Sequence, residues 1–287
     1  NEKENKVMVR ERAAAHYSFN KGSSGQAYPS SMMGMIALLR QTYIDAEWYK
    51  TNRDAEGANL SLQYWNEQQA LPQIFEANDK WNALRADRIG DEFGVQYIIK
   101  GGQNEYQRIS EMQSTRASFI LPLNFPSAME VDDPAELRFV GLDDLKHWEL
   151  APTNPAAFEK AGINFCLTTS DLANLTDFPA NLRKSIEYGL TEGKALDALT
   201  RIPAQVLGVY DRLGSLDAGK LANFIVASGP LFREKTVILQ NWIQGQKYSV
   251  KEEGWTDING QYRLSMRYNS SNANYTLELK EGGIASV

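Results

Sequence analysis

The hydrophobic and polar positions alternate in two different rhythms along this chain. From Ser30 to about Asn66 the rhythm is helical: Met32, Met35, Ile36, Leu39, Tyr43 and Ala46 recur at spacings of three and four residues. Ser30 or Ser31 is placed to cap the start, and Gly57 marks a later break. Beyond this segment, short apolar runs take turns with amphipathic ones. Residues 71–77 (LPQIFEA), 95–100 (VQYIIK), 117–123 (ASFILPL) and 163–168 (INFCLT) read as four buried strands. Helical patterns follow or separate them at 79–93, 105–115, 152–162 and 179–189, and two more come at 195–200 and 204–208. Strand–helix repeats of this length predict βαβ units and a parallel sheet.

After residue 210 the rhythm changes to strands alone. Segments 224–227, 237–239, 241–244, 260–266 and 275–280 have strand character. The last two flank RYNSSNAN, a polar, turn-rich stretch that suits a hairpin. The expected division is therefore an α/β part over residues 1–210 and a β part over 211–287.

Composition narrows the functional classes. With 287 residues, 43% of them hydrophobic, the chain can bury a substantial core. A net charge of −6, with the basic residues scattered, offers nothing to nucleic acid or to an anionic membrane surface. The longest apolar runs have strand length, far below a membrane span. The expectation is a soluble protein with no nucleic-acid or membrane partner, and composition does not separate bacterial cytoplasm from periplasm. The single cysteine, Cys166, excludes an intrachain disulfide and reads as a small buried hydrophobe. His16 and His147 are the two histidines. His16 reads as a surface or capping residue, and His147, beside Trp148, as a packing or exposed one.

Ala195–Val226 (ALDALTRIPAQVLGVYDRLGSLDAGKLANFIV), preceded by TTSD at residues 168–171, resembles the C-terminal part of the amidohydrolase superfamily. The earlier segment YPSSMMG–RQ–DAEWY is similar to one found before the fifth strand in a degenerate, mostly bacterial branch of it, related to imidazolonepropionases. The resemblance implies a (β/α)8 metal-dependent hydrolase barrel with a small β-sandwich. Members hydrolyse non-peptide C–N bonds such as cyclic amides or amidines. It also implies a set of metal ligands: a His-x-His pair on the first strand, often a modified lysine on the fourth, one histidine each on the fifth and sixth, and an aspartate on the eighth.

Against that pattern, no His-x-His pair occurs here. LPQIFEAND matches the fifth-strand segment with Glu76 in the histidine position, and VQYIIKGGQNEY matches the sixth with Lys100 there. Asp171 takes the position of the eighth-strand aspartate. With four barrel strands found where a closed barrel has eight, the chain resembles the second half of the barrel plus the C-terminal strands of the sandwich, a fragment of the family plan. The first-strand pair, and the rest of the barrel, would then lie on an N-terminal segment or be supplied by a complementary segment or a second copy.

A lysine ammonium has three donors and no lone pair, so Lys100 is a poor metal ligand. The expectation is that Lys100, Glu76 and Asp171 converge at the barrel mouth as an ion-pair cluster in place of the metal, with no cofactor in this chain. Asp171 is the candidate catalytic residue, with a helix N-cap as its structural alternative. Glu76, Lys100 and Asn124, the last ending a strand before Pro126, are candidate substrate-binding residues for an unknown small molecule. If a divalent ion such as zinc is bound after all, Asp171 and Glu76 are its ligands. Three readings stay open: an amidohydrolase-like binding protein without a working metal site, a metal-dependent hydrolase completed from elsewhere, and hydrolysis without metal by Glu76 and Asp171 as an acid–base pair.

Overall fold

The computed structural model describes residues 8–251, 260–268, 271–280 and 284–286. They divide into two compact units. One comprises the described residues up to Ala222 with Phe232–Glu234, and the other Asn223–Leu231 with the described residues from Lys235 onward.

The first unit is built on five short strands: β1 (Ala15–Ser18), β2 (Gln73–Glu76), β3 (Ile98–Lys100), β4 (Phe119–Pro122) and β5 (Phe165–Thr168). They form one sheet in the order β1-β2-β3-β4-β5, every neighbouring pair parallel. The expected α/β architecture, a partial barrel, is what the chain adopts. Four of these strands were legible in the sequence and β1 was not. Its AHYS has only one fully buried position, so it lacks the apolar run that marks the others. The segment before β1 is tied down by Arg10, which donates to the Leu207 carbonyl at 2.7 Å, and by Arg212, which donates to the Val9 carbonyl at 3.0 Å.

Helices connect the strands. Between β1 and β2 lie α1 (Met32–Glu56) and α2 (Leu60–Gln68), separated at Gly57. Ser31 caps α1 by accepting from the Gly34 N–H at 3.2 Å, and Asn59 caps α2 through the Leu62 N–H at 3.2 Å. Helix α3 (Lys80–Phe93) follows β2. Asp79 caps its start, and Gly94 closes it in the left-handed conformation, φ +70°, that a residue without Cβ adopts without strain. A 3-10 turn at Glu105–Arg108 and α4 (Ile109–Ser114) link β3 to β4. The longer β4–β5 connection carries α5 (Pro134–Leu137), α6 (Leu142–Leu150) and α7 (Asn154–Lys160). After β5 come α8 (Phe178–Glu187), α9 (Glu192–Leu199) and α10 (Arg201–Val206).

The pleat sends alternate side chains to opposite faces. One face carries Phe75, Ile99, Phe119, Leu121 and Phe165, all at 0% exposure. These pack against Tyr43 of α1, Ala83 and Ala86 of α3, Met112 of α4, Phe158 of α7, Leu182 of α8 and Ala195 and Ala198 of α9. The register puts His16, Ser18, Ile74, Glu76, Ile98, Lys100, Ile120 and Cys166 on the other face. The site is built on that second face.

The second unit holds two antiparallel sheets. The first is β6 (Phe224–Ala227), β7 (Ile238–Ile243) and β8 (Gln246–Ser249), and the second is β9 (Gly260–Tyr268), β10 (Ser271–Lys280) and β11 (Ile284–Ser286). The hairpin expected around RYNSSNAN is present, with Ser271 paired to Tyr268; its two tip residues lie outside the described residues. One correction is needed. The segments read as separate strands at 237–239 and 241–244 are the single strand β7, which turns into β8 through Gln244 and Gly245. Both turn residues have positive φ, +51° and +83°, as a tight two-residue hairpin requires. Gln244 is not a residue type that announces such a turn, which is why it went unread. Its N–H donates to Asn223 Oδ1 at 2.6 Å, so Asn223 braces this hairpin.

Candidate functional site

The carboxyl ends of parallel strands are where an open or closed α/β sheet presents functional groups. Glu76 is the last residue of β2 and Lys100 the last of β3, and the register sets them side by side. Lys100 Nζ lies 3.3 Å from Glu76 Oε1 and forms a short ion pair with Asp171 Oδ2. The three residues thus converge across β2, β3 and the loop after β5. Ser18, the last residue of β1, extends the row on the far side of Glu76.

The cluster is unevenly desolvated. The Lys100 side chain is 9% exposed, while those of Glu76 and Asp171 are 53% and 41% exposed. A nearly dry ammonium is therefore held by two carboxylates that keep water on their outer sides. Such an arrangement satisfies the cation at the centre and leaves acceptor capacity facing outward.

Asp171 does not act as a helix cap. Asn174 caps the next turn by accepting from the Thr176 N–H at 3.2 Å. Asp171 instead adopts φ +67°, an uncommon backbone for a residue with a side chain, and its other oxygen accepts from Ser170 Oγ at 3.3 Å. Asn124 lies two residues past the end of β4. Its Oδ1 is buried and, among the described residues, has no hydrogen-bond partner.

Glu105, which braces this cluster from behind, is a residue that the sequence did not reveal. It is fully buried, and its carboxylate accepts from the Gly102 N–H at 2.6 Å, the Gln103 N–H at 3.0 Å and Asn154 Nδ2 at 2.9 Å. Burial pushes its pKa up, against the pull of these donors. By gripping the turn directly after Lys100, Glu105 fixes where the end of β3 points. The two glycines are required there. A Cβ on Gly101 would meet Glu105 Oε1 at 2.6 Å, and one on Gly102 would run into the Asn78 carbonyl. The GGQNE run was the available signal, but a carboxylate two residues past a turn looks like any helix start.

The remaining candidates fall away from the cluster. His147 accepts from or donates to the Tyr106 hydroxyl at 3.1 Å and stacks on that ring, a packing role; desolvation and the Lys80 charge lower its pKa. His16 lies exposed on the site face of β1, two residues below Ser18. Cys166 is buried, and desolvation raises its thiol to about 11, so it is an inert core group.

Residues 150–253 match the model of the amidohydrolase family. Over that segment the chain is similar to the amidohydrolase family. Among solved structures, an amidohydrolase from Thermotoga maritima aligns with a TM-score of 0.64 and 21% identity, over 85% of this chain and 64% of that one. A prolidase in complex with N-methylphosphonate-L-proline aligns with a TM-score of 0.50 and 12% identity, over 83% of this chain and 68% of that one. At these identities the likeness concerns the fold. The chain spans less than two thirds of the length of the Thermotoga protein. No curated protein sequence matches it. Among the described residues, no helix is long and apolar enough to cross a membrane.

Proposed function

We propose that this amidohydrolase-type half-barrel is a small-molecule binding module in which an ammonium has taken the place of the catalytic metal. The observation that carries the reading is Lys100 Nζ bonded to both Glu76 and Asp171. Those two carboxylates occupy the fifth- and eighth-strand ligand positions, and a fixed positive charge between them repels a divalent ion. It also occupies one oxygen of each carboxylate on the side where the two converge. This donor set therefore does not fit the family's metal.

Chemistry without metal is disfavoured by the same residue. Two adjacent carboxylates can split their pKa values and serve as acid and base. Here an ammonium lies between the two carboxylates, so they do not face each other as such a pair would. What remains suited to a ligand is the outer side of Glu76 and Asp171. Among the described residues β1 and β5 each pair on one side only, which supports completion of the sheet by a complementary segment or a second copy.

Elemental analysis of the purified full chain tests the reading. The expected result is no stoichiometric zinc, iron, manganese or nickel, before or after incubation with each ion. Stoichiometric metal would overturn it and make Asp171 and Glu76 ligands of a hydrolase acting on non-peptide C–N bonds.

A further inference from the structure

The β4–β5 connection carries an apolar surface that nothing among the described residues covers. None of the nine residues of α6 is buried, although Leu142, Leu145, Trp148 and Leu150 lie on it. Pro134, Ala135 and Leu137 of α5 are exposed as well. Between the two helices Phe139 stands at 90% exposure, and Leu142 follows at 68%. A lone exposed leucine is ordinary, but a phenyl ring with leucines on both sides of it in the chain, all in water, marks an interaction surface.

Helix α6 is held from one side. His147 is hydrogen-bonded to the Tyr106 hydroxyl at 3.1 Å and stacks on that ring. At about 100° per residue, Leu142, Leu145 and Glu149 project from the opposite side of the helix. The apolar stripe points away from its anchor. Lys184 already lies over the Trp148 ring, 6.0 Å from its centre, so the free apolar groups are Leu137, Phe139 and Leu142.

The rim has one dominant charge. Glu130, Asp132, Asp133, Asp143, Asp144 and Glu149 are exposed, against Arg138 and Lys146. None of these carboxylates takes part in the ion pairs of the described residues. Glu130 and Asp133 accept from the Asp132 and Ala135 N–H groups, which leaves their charge uncompensated.

Stripe and rim together select the occupant. An anionic membrane or a nucleic acid is repelled by the carboxylates. A second copy would set the same acids against each other, in a chain whose net charge is −6. A neutral apolar partner would strip water from the rim and put no charge in its place. A segment with one apolar and one basic face meets both features, and an exposed helix offers its ridges to another helix.

We propose that the outer side of α5 and α6 docks a basic amphipathic helix of another protein. Its apolar face covers Phe139 and Leu142, and its lysines or arginines face the carboxylates around them. The surface lies apart from the Lys100 cluster, and the inference does not rest on the function proposed for that cluster.

The probe is a synthetic helix of leucine and lysine, four turns or about 14 residues long, with all leucines on one face. Titrated into the full chain and followed by fluorescence anisotropy, it should bind saturably and more weakly as salt is raised. A peptide of the same composition in scrambled order should bind about 10-fold more weakly. Phe139→Ser with Leu142→Ser, two exposed positions that do not threaten folding, should weaken the ordered peptide about 10-fold or more. Asp143→Asn with Asp144→Asn should weaken it several-fold and flatten the salt dependence. Removing the same charge from α1, by Asp45→Asn with Glu47→Gln, should change nothing.

Absence of saturable binding overturns the inference. So does equal binding of the scrambled peptide, or an unchanged affinity in Phe139→Ser with Leu142→Ser, since either describes a general attraction between an acidic chain and a basic peptide. A chain that dimerises at neutral pH and loses the dimer in that variant has a second copy as its occupant, which also overturns it. Metal analysis moves none of these readouts, so this inference and the proposed function fail separately.

Discussion

The two faces of the five-stranded sheet obey different physics. The helix-facing side is apolar at every position that the pleat sends there in β2 to β4, apart from Gln73 at its edge, and its stability comes from close packing of Phe75, Ile99, Phe119, Leu121 and Phe165. The other side ends in charge, with Lys100 enclosed and its two carboxylates half in water. The difference teaches which residues answer to packing alone. On the first face any apolar residue of the right volume serves; on the second, each member of the cluster is needed because of the others.

Truncation on the packed face should have the largest effect. Phe119→Ala removes a ring wedged at 4.9 Å against Phe158 and fully shielded from water. It should cost about 3–5 kcal/mol in denaturant unfolding. A loss below about 1 kcal/mol would mean that the core collapses freely around the gap and the contrast between the faces is weaker than drawn.

Lys100→Met comes next. It leaves Glu76 and Asp171 facing each other without their shared cation. For a wholly buried pair that loss would approach 3–5 kcal/mol, but here both carboxylates are well solvated, so about 1–3 kcal/mol is expected. Combining Lys100→Met with Glu76→Gln and Asp171→Asn should restore most of it. If the triple variant is no more stable than the single one, the cluster is not acting as a unit.

The smallest effect concerns pH. Asp87 on α3 is half-buried near Asp91, and desolvation, then that neighbouring charge, raises its pKa from 3.8 to about 6. A carboxyl whose folded pKa is raised favours folding in its protonated form. Its contribution is fully present below pH ~4 and is lost as pH rises through 6. Asp87→Asn should therefore raise the melting temperature at pH 7.5, and the gain should shrink to nothing near pH 4. An equal gain at both pH values would show a packing effect unrelated to charge.

Much of the fold was legible because periodicity reports burial directly. Residues 95–100, 117–123 and 163–168 each contain a run that only a buried strand accommodates, and the helix over Asp79–Gly94 announces its cap at both ends. The strand β1 was missed because AHYS buries one residue, and the β7–β8 turn because Gln244 takes a conformation usually left to glycine or asparagine. Of the site, Glu76, Lys100 and Asp171 could be named from where they stand in a family pattern.

What the sequence determined by itself was four of the five parallel strands with the helices between them, and, through the family pattern, the three charged residues at or just past strand ends. Only the tertiary structure decided that Asp171 pairs with Lys100 rather than capping a helix, a choice between two partners that are local and distant in sequence. It alone showed that Glu105 grips the turn after Lys100, and that Lys100 is enclosed while its two carboxylates stay half in water. The reason is common to all three. Periodicity is a short-range signal set by which side of an element meets water, whereas charge pairing and desolvation depend on distances between residues far apart in the chain, which no local pattern encodes.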